Sequence, residues 1–226
     1  MSTEPARVVV VPGLGLDERS WSDVLDRLPA SVPATVLHLP GMGRRKPVPP
    51  LEALAGEVRS RLGDGPVVLA GHSQSCQVVA AVAERDARVA AVVLLGPTTD
   101  PRLRRLPGLV ASWLRTAVRE PRWQVPRILA QWLHTGPRAM RALWRRAASD
   151  RIELRLPAVA VPVTVVRGTR DALCSAAWAR ALVAAAPDGR LVELAGAAHM
   201  TPQTHPADVA DLLLGHWPSV RPRTSA

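Results

Sequence analysis

The sequence contains no phenylalanine and no tyrosine, and Lys46 is its single lysine. Bulky apolar side chains must therefore come from the seven tryptophans and from aliphatic residues. Cys76 and Cys174 are too few for a disulfide scaffold, and no Cys/His cluster indicates a metal site. No apolar run reaches the ~18 residues that a membrane span needs, and the N-terminal residues lack the pattern of a signal peptide. We therefore expect a soluble, cytoplasmic protein without a bound metal.

Acidic residues are scarce in one segment of the chain, residues 101–156. This segment holds thirteen arginines and three acids, so it accounts for the whole formal net charge of +10. A GC-rich genome would account for a preference for arginine over lysine, but it would not account for the lack of acids in one segment. A length of 226 residues fits one domain, so we interpret the chain as a neutral body with one strongly basic insert.

The rest of the chain alternates short apolar runs with amphipathic stretches, which predicts strands alternating with helices. The predicted strands are 7–11, 34–39, 67–70, 89–95, 163–166 and 191–194, and the predicted helices are 20–28, 51–62, 74–85, 175–186 and 206–217. Strands that are buried on both sides and alternate with helices predict an α/β fold, a mostly parallel sheet with helices on both faces. Residues 1–100 and 157–218 then form the core, 101–156 a helical insertion, and 219–226 a disordered tail.

Three polar residues follow predicted strands in an order that predicts nucleophilic catalysis. Ser73 lies in the pentapeptide Gly-His-Ser-Gln-Ser, a near match to the motif G-x-S-x-G. The motif indicates a nucleophilic serine where a strand meets a helix, and Ser73 lies at such a junction of predicted elements. Asp171 and His199 each come directly after a later strand, at the sheet edge where sites form in parallel sheets. A serine hydroxyl needs a base and the base needs an orienting carboxylate. We predict Ser73 as nucleophile, His199 as base and Asp171 as acid.

These motifs resemble those of the α/β-hydrolase family, and the resemblance covers nearly the whole chain. GHSQS is similar to the nucleophile elbow, VRGTRD to the acid loop, AGAAHM to the histidine loop and VVVVPGLGLDERSW to the oxyanion loop. The resemblance implies the backbone N–H groups of Leu14 and Gln74 as oxyanion donors. The chain departs from the family pattern at Pro12, where histidine is usual, at Ser75, where the last elbow glycine is usual, and at Met42, where histidine is common.

Other residues compete for these roles. Asp100 follows the preceding strand, a position that some family members use for the acid. Cys76 is expected to be a small buried residue rather than a nucleophile. His72 is expected to point away from the nucleophile's face. The histidines without a suitable strand-end setting are expected at the surface or in packing, and they are His38, His134, His205 and His216.

The basic insert occupies the place where the family carries a lid over the site. It contains four tryptophans, Trp113, Trp123, Trp132 and Trp144, and its prolines predict several short helices. Its apolar side chains are expected to face the cleft and the core, and its arginines to face solvent. The arginines include an expected exposed cluster at Arg102, Arg104 and Arg105. Three roles stay open for them: solvation of the surface alone, attraction of an anionic substrate, or docking of an acidic partner. No nucleic-acid-binding motif is present.

The resemblance implies a serine hydrolase that cleaves an ester or thioester through an acyl-enzyme, without a metal or organic cofactor. An apolar lid favours a hydrophobic acyl or natural-product-like substrate, either a small molecule or carrier-bound, and an anionic substrate is one option. Two alternatives stay open: a lyase or cyclase of the same fold in a natural-product pathway, and a non-catalytic binding protein. The sequence fixes neither the substrate nor the oligomeric state.

Overall fold

The computed structural model describes residues 5–103 and 106–217, so the predicted tail at 219–226 lies outside the described residues. The strands are β1 Arg7–Val11, β2 Ala34–Val36, β3 Leu39–Pro40, β4 Gly43–Arg44, β5 Val67–His72, β6 Val89–Leu95, β7 Val163–Gly168 and β8 Gly189–Leu194. The helices are α1 Ser22–Leu25, α2 Leu51–Arg59, α3 Ser75–Ala83, α4 Leu106–Ala117, α5 Gln124–Thr135, α6 Pro137–Ala148, α7 Ile152–Arg155, α8 Ala176–Ala185, α9 Thr201–Thr204 and α10 Pro206–Gly215.

The main sheet has the strand order β2-β1-β5-β6-β7-β8, and every neighbouring pair is parallel. The predicted α/β fold is therefore confirmed. Strands β5 to β8 are adjacent, and all of their carboxyl ends lie at one edge because the strands are parallel. The loops after β5, β7 and β8 consequently open side by side, and these loops carry the three predicted catalytic residues.

The core lies on both faces of this sheet because successive side chains of a strand point to opposite sides. In β1, Val8 and Val10 pack on the face that α1 and α10 cover. Val9 and Val11 pack on the opposite face, against α2, α3 and α8. Strands buried on both sides need continuous apolar sequence, and the run Val-Val-Val-Val at residues 8–11 supplies it.

Two predicted elements are shorter in the structure than in the sequence pattern. The predicted helix 20–28 is a short 3₁₀ turn at Glu18–Ser20 followed by α1, and the chain then tightens into three-residue turns up to Leu28. Pro29 explains this ending because the residue before a proline disfavours the helical conformation. The predicted strand 34–39 divides into β2 and the separate short strand β3.

Helices α4 to α7 join β6 to β7. The side chain of Gln131 on α5 accepts a hydrogen bond from the Asp17 amide at 3.0 Å, and the Thr135 hydroxyl donates one to the Gly15 carbonyl at 3.0 Å. The expected separation of apolar and basic faces is wrong in part, because Leu114, Leu133 and other large apolar side chains of α4 and α5 are exposed. In the described part of the chain, no helix is both long and apolar enough to cross a membrane.

Candidate active site

Ser73 lies on the turn between β5 and α3. Its φ angle is 58°, in the left-handed region that a non-glycine residue rarely adopts. The Ser73 amide donates to the Leu95 carbonyl of the neighbouring strand at 2.8 Å, which holds this strained turn in place. The sequence prediction of a sharp strand-to-helix turn at Ser73 therefore agrees with the backbone.

The structure brings Ser73, His199 and Asp171 together in one hydrogen-bonded chain. His199 Nε2 lies 2.9 Å from Ser73 Oγ, and His199 Nδ1 lies 2.8 Å from Asp171 Oδ2. The second oxygen of Asp171 accepts hydrogen bonds from the amides of Leu173 at 2.8 Å and Cys174 at 3.1 Å. All three side chains are buried. The arrangement can pass the serine proton to the imidazole while the carboxylate fixes the ring orientation.

The environment shifts the pKa values of both His199 and Asp171. Burial alone would lower the pKa of His199, but the charge and hydrogen bond of Asp171 overcome burial and raise that pKa above its ordinary value. Burial alone would raise the pKa of Asp171, yet the His199 charge and the amide hydrogen bonds lower it. Asp171 is therefore ionised at neutral pH, as a residue that stabilises an imidazolium must be.

His72 contacts the histidine loop, so the expectation that it points away from the site is wrong. Its Nε2 lies 2.9 Å from the backbone carbonyl of His199, and the two rings have their centroids 5.0 Å apart. Burial, reinforced by the nearby His199 ring, lowers the pKa of His72 to about 3. A neutral His72 can donate its Nε2 proton to the His199 carbonyl, which helps to hold the loop.

Glu120 from the helical insertion also contacts the histidine loop, and the sequence reasoning missed it. Its Oε1 accepts hydrogen bonds from the amides of His199 at 2.7 Å and Met200 at 2.8 Å. Burial raises the pKa of the Glu120 carboxyl, although the two amides and the charge of His199 partly offset this effect. A signal was present, because Glu120 is the one acid between residues 101 and 149 of a very basic segment.

The two predicted oxyanion donors belong to segments that flank Ser73. Leu14 and Gln74 both line the cavity beside the nucleophile, and Gln74 directly precedes α3, whose N-terminus is electropositive. Gly13 allows the close approach of the two segments, since a Cβ there would lie 2.9 Å from His72 Nδ1 and 3.2 Å from Ser73 Cβ. A larger residue at Gly13 would push the Leu14 amide away from Ser73.

Ser75, the departure from the elbow pattern, is integrated into the turn. Its hydroxyl accepts a hydrogen bond from the His72 amide at 2.7 Å and lies within donating distance of two carbonyls, 2.8 Å from Val11 and 2.9 Å from His72. The side chain therefore ties the end of β1 to the elbow. Met42, another departure, is fully buried in the core.

The competing candidates lie in other settings. Asp100 forms an ion pair with Arg102 and accepts a hydrogen bond from the Ser175 hydroxyl at 3.1 Å, so its carboxylate is engaged away from His199. Cys76 is buried, as expected, and burial raises the pKa of its thiol. His38 lies 2.7 Å from Glu18, and His216 lies 2.9 Å from the Thr164 hydroxyl.

A cavity of about 360 Å³ opens beside Ser73 and His199. Its walls are mostly apolar and come largely from the helical insertion, including Trp113, Trp132, Trp144, Ile128 and Leu129. The rings of Trp113 and Trp132 pack together at 5.9 Å between centroids, whereas Trp123 is half exposed with the Arg127 guanidinium 5.8 Å above it. In the described part of the chain, no cluster of His, Cys, Asp and Glu is placed to hold a metal ion.

Comparison with known proteins agrees with this architecture. The profile of the Alpha/beta hydrolase family matches residues 8–212. The chain is 30% identical over 249 aligned residues to lipase LipV of Mycobacterium tuberculosis, covering 92% of each protein. It is 29% identical to the polyketide synthase ThaQ of Burkholderia thailandensis over 88% of this chain but 11% of ThaQ. Among solved structures, a lipase-esterase related protein from Clostridium acetobutylicum matches with a TM-score of 0.78 at 14% identity, covering 95% of each chain. The chain belongs to the alpha/beta hydrolase family, as its motifs predicted.

Proposed function

We propose that the protein is a serine hydrolase that cleaves an ester or thioester through an acyl-enzyme formed on Ser73. The observation that carries this proposal is the continuous hydrogen-bonded chain from Ser73 through His199 to Asp171. The strained backbone at Ser73 supports it, because strain of this kind persists where the surrounding structure imposes it and is concentrated at active sites.

The proposed reaction has two halves that use the same groups. His199 Nε2 accepts the Ser73 proton as Oγ attacks the carbonyl carbon, and the Leu14 and Gln74 amides hold the oxyanion. His199 then protonates the leaving alcohol or thiol, which releases it and leaves an acyl group on Ser73. A water molecule gives its proton to His199 and attacks the acyl carbonyl, and collapse of this second intermediate frees the acid and restores Ser73.

The helical insertion 101–156 is proposed as a lid that shapes the acyl site. Its tryptophans and aliphatic residues line the cavity, which favours a hydrophobic acyl group. The name lipase of LipV is consistent with an acyl ester as substrate. The match to a part of a polyketide synthase supports the option of an acyl chain presented as a thioester.

A fluorophosphonate probe tests the nucleophile. We expect labelling of the wild type, loss of labelling in Ser73→Ala, and unchanged labelling in Ser60→Ala, which removes an exposed serine hydroxyl at the end of α2. Product analysis in water labelled with heavy oxygen separates hydrolysis from a lyase reaction. Hydrolysis places the heavy oxygen in the released acid, whereas elimination yields an alkene and an unlabelled acid. A folded wild type that is not labelled, or an unlabelled acid with a new double bond, would overturn the proposal.

A further inference from the structure

The cavity beside Ser73 contains buried polar atoms that its apolar walls do not explain. Gln124, the first residue of α5, is fully buried and lines the cavity, and both its Nε2 and its Oε1 lack a hydrogen-bond partner among the described residues. Burying a polar group without a partner destabilises a protein, so native proteins rarely leave one in this state. Leucine would fill the same volume of an apolar wall without this cost.

Four further unpartnered polar atoms belong to residues of the same cavity. They are Oε2 of Glu120, Oε1 of Gln74, Oγ1 of Thr98 and Nδ1 of His72. His72, Gln74 and Thr98 come from the α/β core, whereas Glu120 and Gln124 come from the helical insertion, so both walls contribute. Acceptor atoms predominate in this set, but the Gln124 amide and the Thr98 hydroxyl can also donate.

We infer that the cavity holds a polar subsite, centred on Gln124 and completed by Glu120, that binds a hydroxyl group carried by the acyl chain of the substrate. A hydroxyl fits this set of atoms because it donates one hydrogen bond and accepts others. An ammonium group would satisfy Glu120 but cannot accept from the Gln124 amide. A carboxylate could accept from Gln124, but it would face the acidic side chain of Glu120. The inference rests on the proposed function, since it names the substrate class: an ester or thioester whose acyl group carries a hydroxyl. Ser73 would receive that hydroxylated acyl group.

The apolar walls and the polar subsite recognise different parts of such a substrate. The tryptophans and aliphatic residues bury the carbon chain, and the subsite fixes how far the chain enters and in which orientation. A site that is built to hydrogen-bond a hydroxyl discriminates against the analogue that lacks it, because its own buried groups then stay unpaired. Plain alkyl esters are therefore expected to be the poorer substrates.

Matched esters test the subsite by activity. Straight-chain nitrophenyl esters are compared with esters of equal length that carry one hydroxyl at successive carbons. We expect at least one hydroxylated ester to exceed its plain counterpart about tenfold or more in kcat/KM, and Gln124→Leu to abolish that preference. Gln131→Leu is the matched control on the same helix, because Gln131 is equally buried but has protein partners in the Asp17 amide and the Arg127 carbonyl. This control should keep the wild-type preference.

Thermal unfolding of the ligand-free variants gives a readout that is independent of catalysis. Gln124→Leu should raise Tm by a few degrees, because an apolar side chain replaces unpaired polar atoms, whereas Gln131→Leu should lower Tm by a similar amount. A fall in Tm for Gln124→Leu as large as that for Gln131→Leu would show that Gln124 serves the fold, and the inference would be wrong.

Binding of the same intact esters to Ser73→Ala, measured by calorimetry, tests recognition without turnover. The hydroxylated ester should bind about tenfold more tightly than its plain counterpart, and Gln124→Leu in that background should remove the difference. If Ser73 is not labelled by the probe but this binding preference persists, the proposed hydrolase function fails and the subsite stands. If Ser73 is labelled and esters are cleaved, but no hydroxyl position is preferred in rate or binding, the subsite alone is refuted.

Discussion

His199 is held by carboxylates on two sides, and each has a different effect. Asp171 contacts the imidazole ring at Nδ1, where it orients the ring and raises its pKa. Glu120 contacts the backbone amides of the loop, so it fixes where the loop lies. His199 is therefore positioned both by the α/β core and by the helical insertion.

Asp171 and Asp100 give opposite predictions when each is changed to asparagine. Asp171→Asn removes the charge that stabilises the imidazolium and orients the ring, so kcat should fall roughly 10³- to 10⁴-fold. Asp100→Asn weakens an ion pair with Arg102 and leaves His199 untouched, so its effect on kcat/KM should stay below about tenfold.

In the wild type, kcat/KM should fall with decreasing pH as His199 gains a proton, with a midpoint above 6.5 because Asp171 raises the pKa of His199.

Steady-state kinetics across pH for both variants check this assignment. Asp100→Asn should keep the position of the acidic limb, since Asp100 is not the partner of His199. Loss of activity in Asp100→Asn with a nearly intact Asp171→Asn would exchange the roles. A midpoint well below 6.5 would mean that burial, which lowers the pKa of His199, outweighs the effect of Asp171.

The sequence predicted the residues of the candidate site that lie at strand ends but not those that contact the backbone of the histidine loop. Ser73, Asp171 and His199 could be found because each follows an apolar run, and parallel strands bring their ends together. His72 and Glu120 hydrogen-bond to main-chain atoms of the histidine loop, 127 and 79 residues away from His199 along the chain. A contact to a main-chain group does not require a particular residue type at the partner position. The partner position therefore carries no sequence signal for such a contact, and only the folded chain reveals it.

At the scale of elements, the elbow and β1 are joined by Ser75. The family pattern has glycine here. The serine hydroxyl supplies hydrogen bonds between the His72 amide and the end of β1. Because β1 leads directly into the predicted oxyanion loop, this link fixes the loop relative to Ser73.

Removal of this hydroxyl should affect both stability and rate. Ser75→Ala leaves buried backbone groups without their partner, which costs about 2 kcal/mol. For a chain of this size that cost lowers Tm by roughly 4–8 °C. The oxyanion loop then loses its attachment, so kcat should fall more than KM changes. Calorimetry and kinetics measure both effects, and Ser149→Ala on the exposed end of α6 is the control. An unchanged Tm in Ser75→Ala would rule out the link.

Element types were predictable because most strands and helices of the core carry a strong apolar period. The boundaries of the elements were harder to predict than their types. Helix α1 is an example, because Pro29 and local turns rather than periodicity decide where it ends. The insertion was the least predictable element. Its exposed Leu114 and Leu133 follow the helical period of α4 and α5 but have little core to cover, because the cavity lies between these helices and the sheet.

At the scale of the whole molecule, the positive charge is concentrated on the helical insertion. The exposed cluster expected at Arg102, Arg104 and Arg105 is not the best candidate for attracting an anion. Arg102 is ion-paired with Asp100, and residues 104 and 105 lie outside the described residues. Helix α6 presents Arg138, Arg141 and Arg145, which are exposed and have no ion pair with an acid among the described residues.

We predict that the arginines of α6 attract a substrate whose carrier is anionic. The test compares an acyl coenzyme A thioester with the neutral N-acetylcysteamine thioester of the same acid. For the coenzyme A substrate kcat/KM should fall as salt rises, because exposed charges are screened beyond about 8–10 Å at 0.1–0.15 M. At low salt, changing the three α6 arginines to glutamine should lower kcat/KM about tenfold for this substrate and leave kcat and the neutral substrate unaffected.

A second triple variant separates a local patch from net charge. It changes three exposed arginines of the α/β core to glutamine, so that the net charge falls equally: Arg27, Arg180 and Arg190. Electrostatic attraction is strongest for charges near the path of the substrate, and α6 borders the cavity through Trp144 and Ala148. The core variant should therefore retain most of the salt dependence that the α6 variant loses. An equal loss of salt dependence in both variants would assign the attraction to net charge alone. A kcat/KM of the wild type that does not change with salt would show that the arginines only solvate the surface.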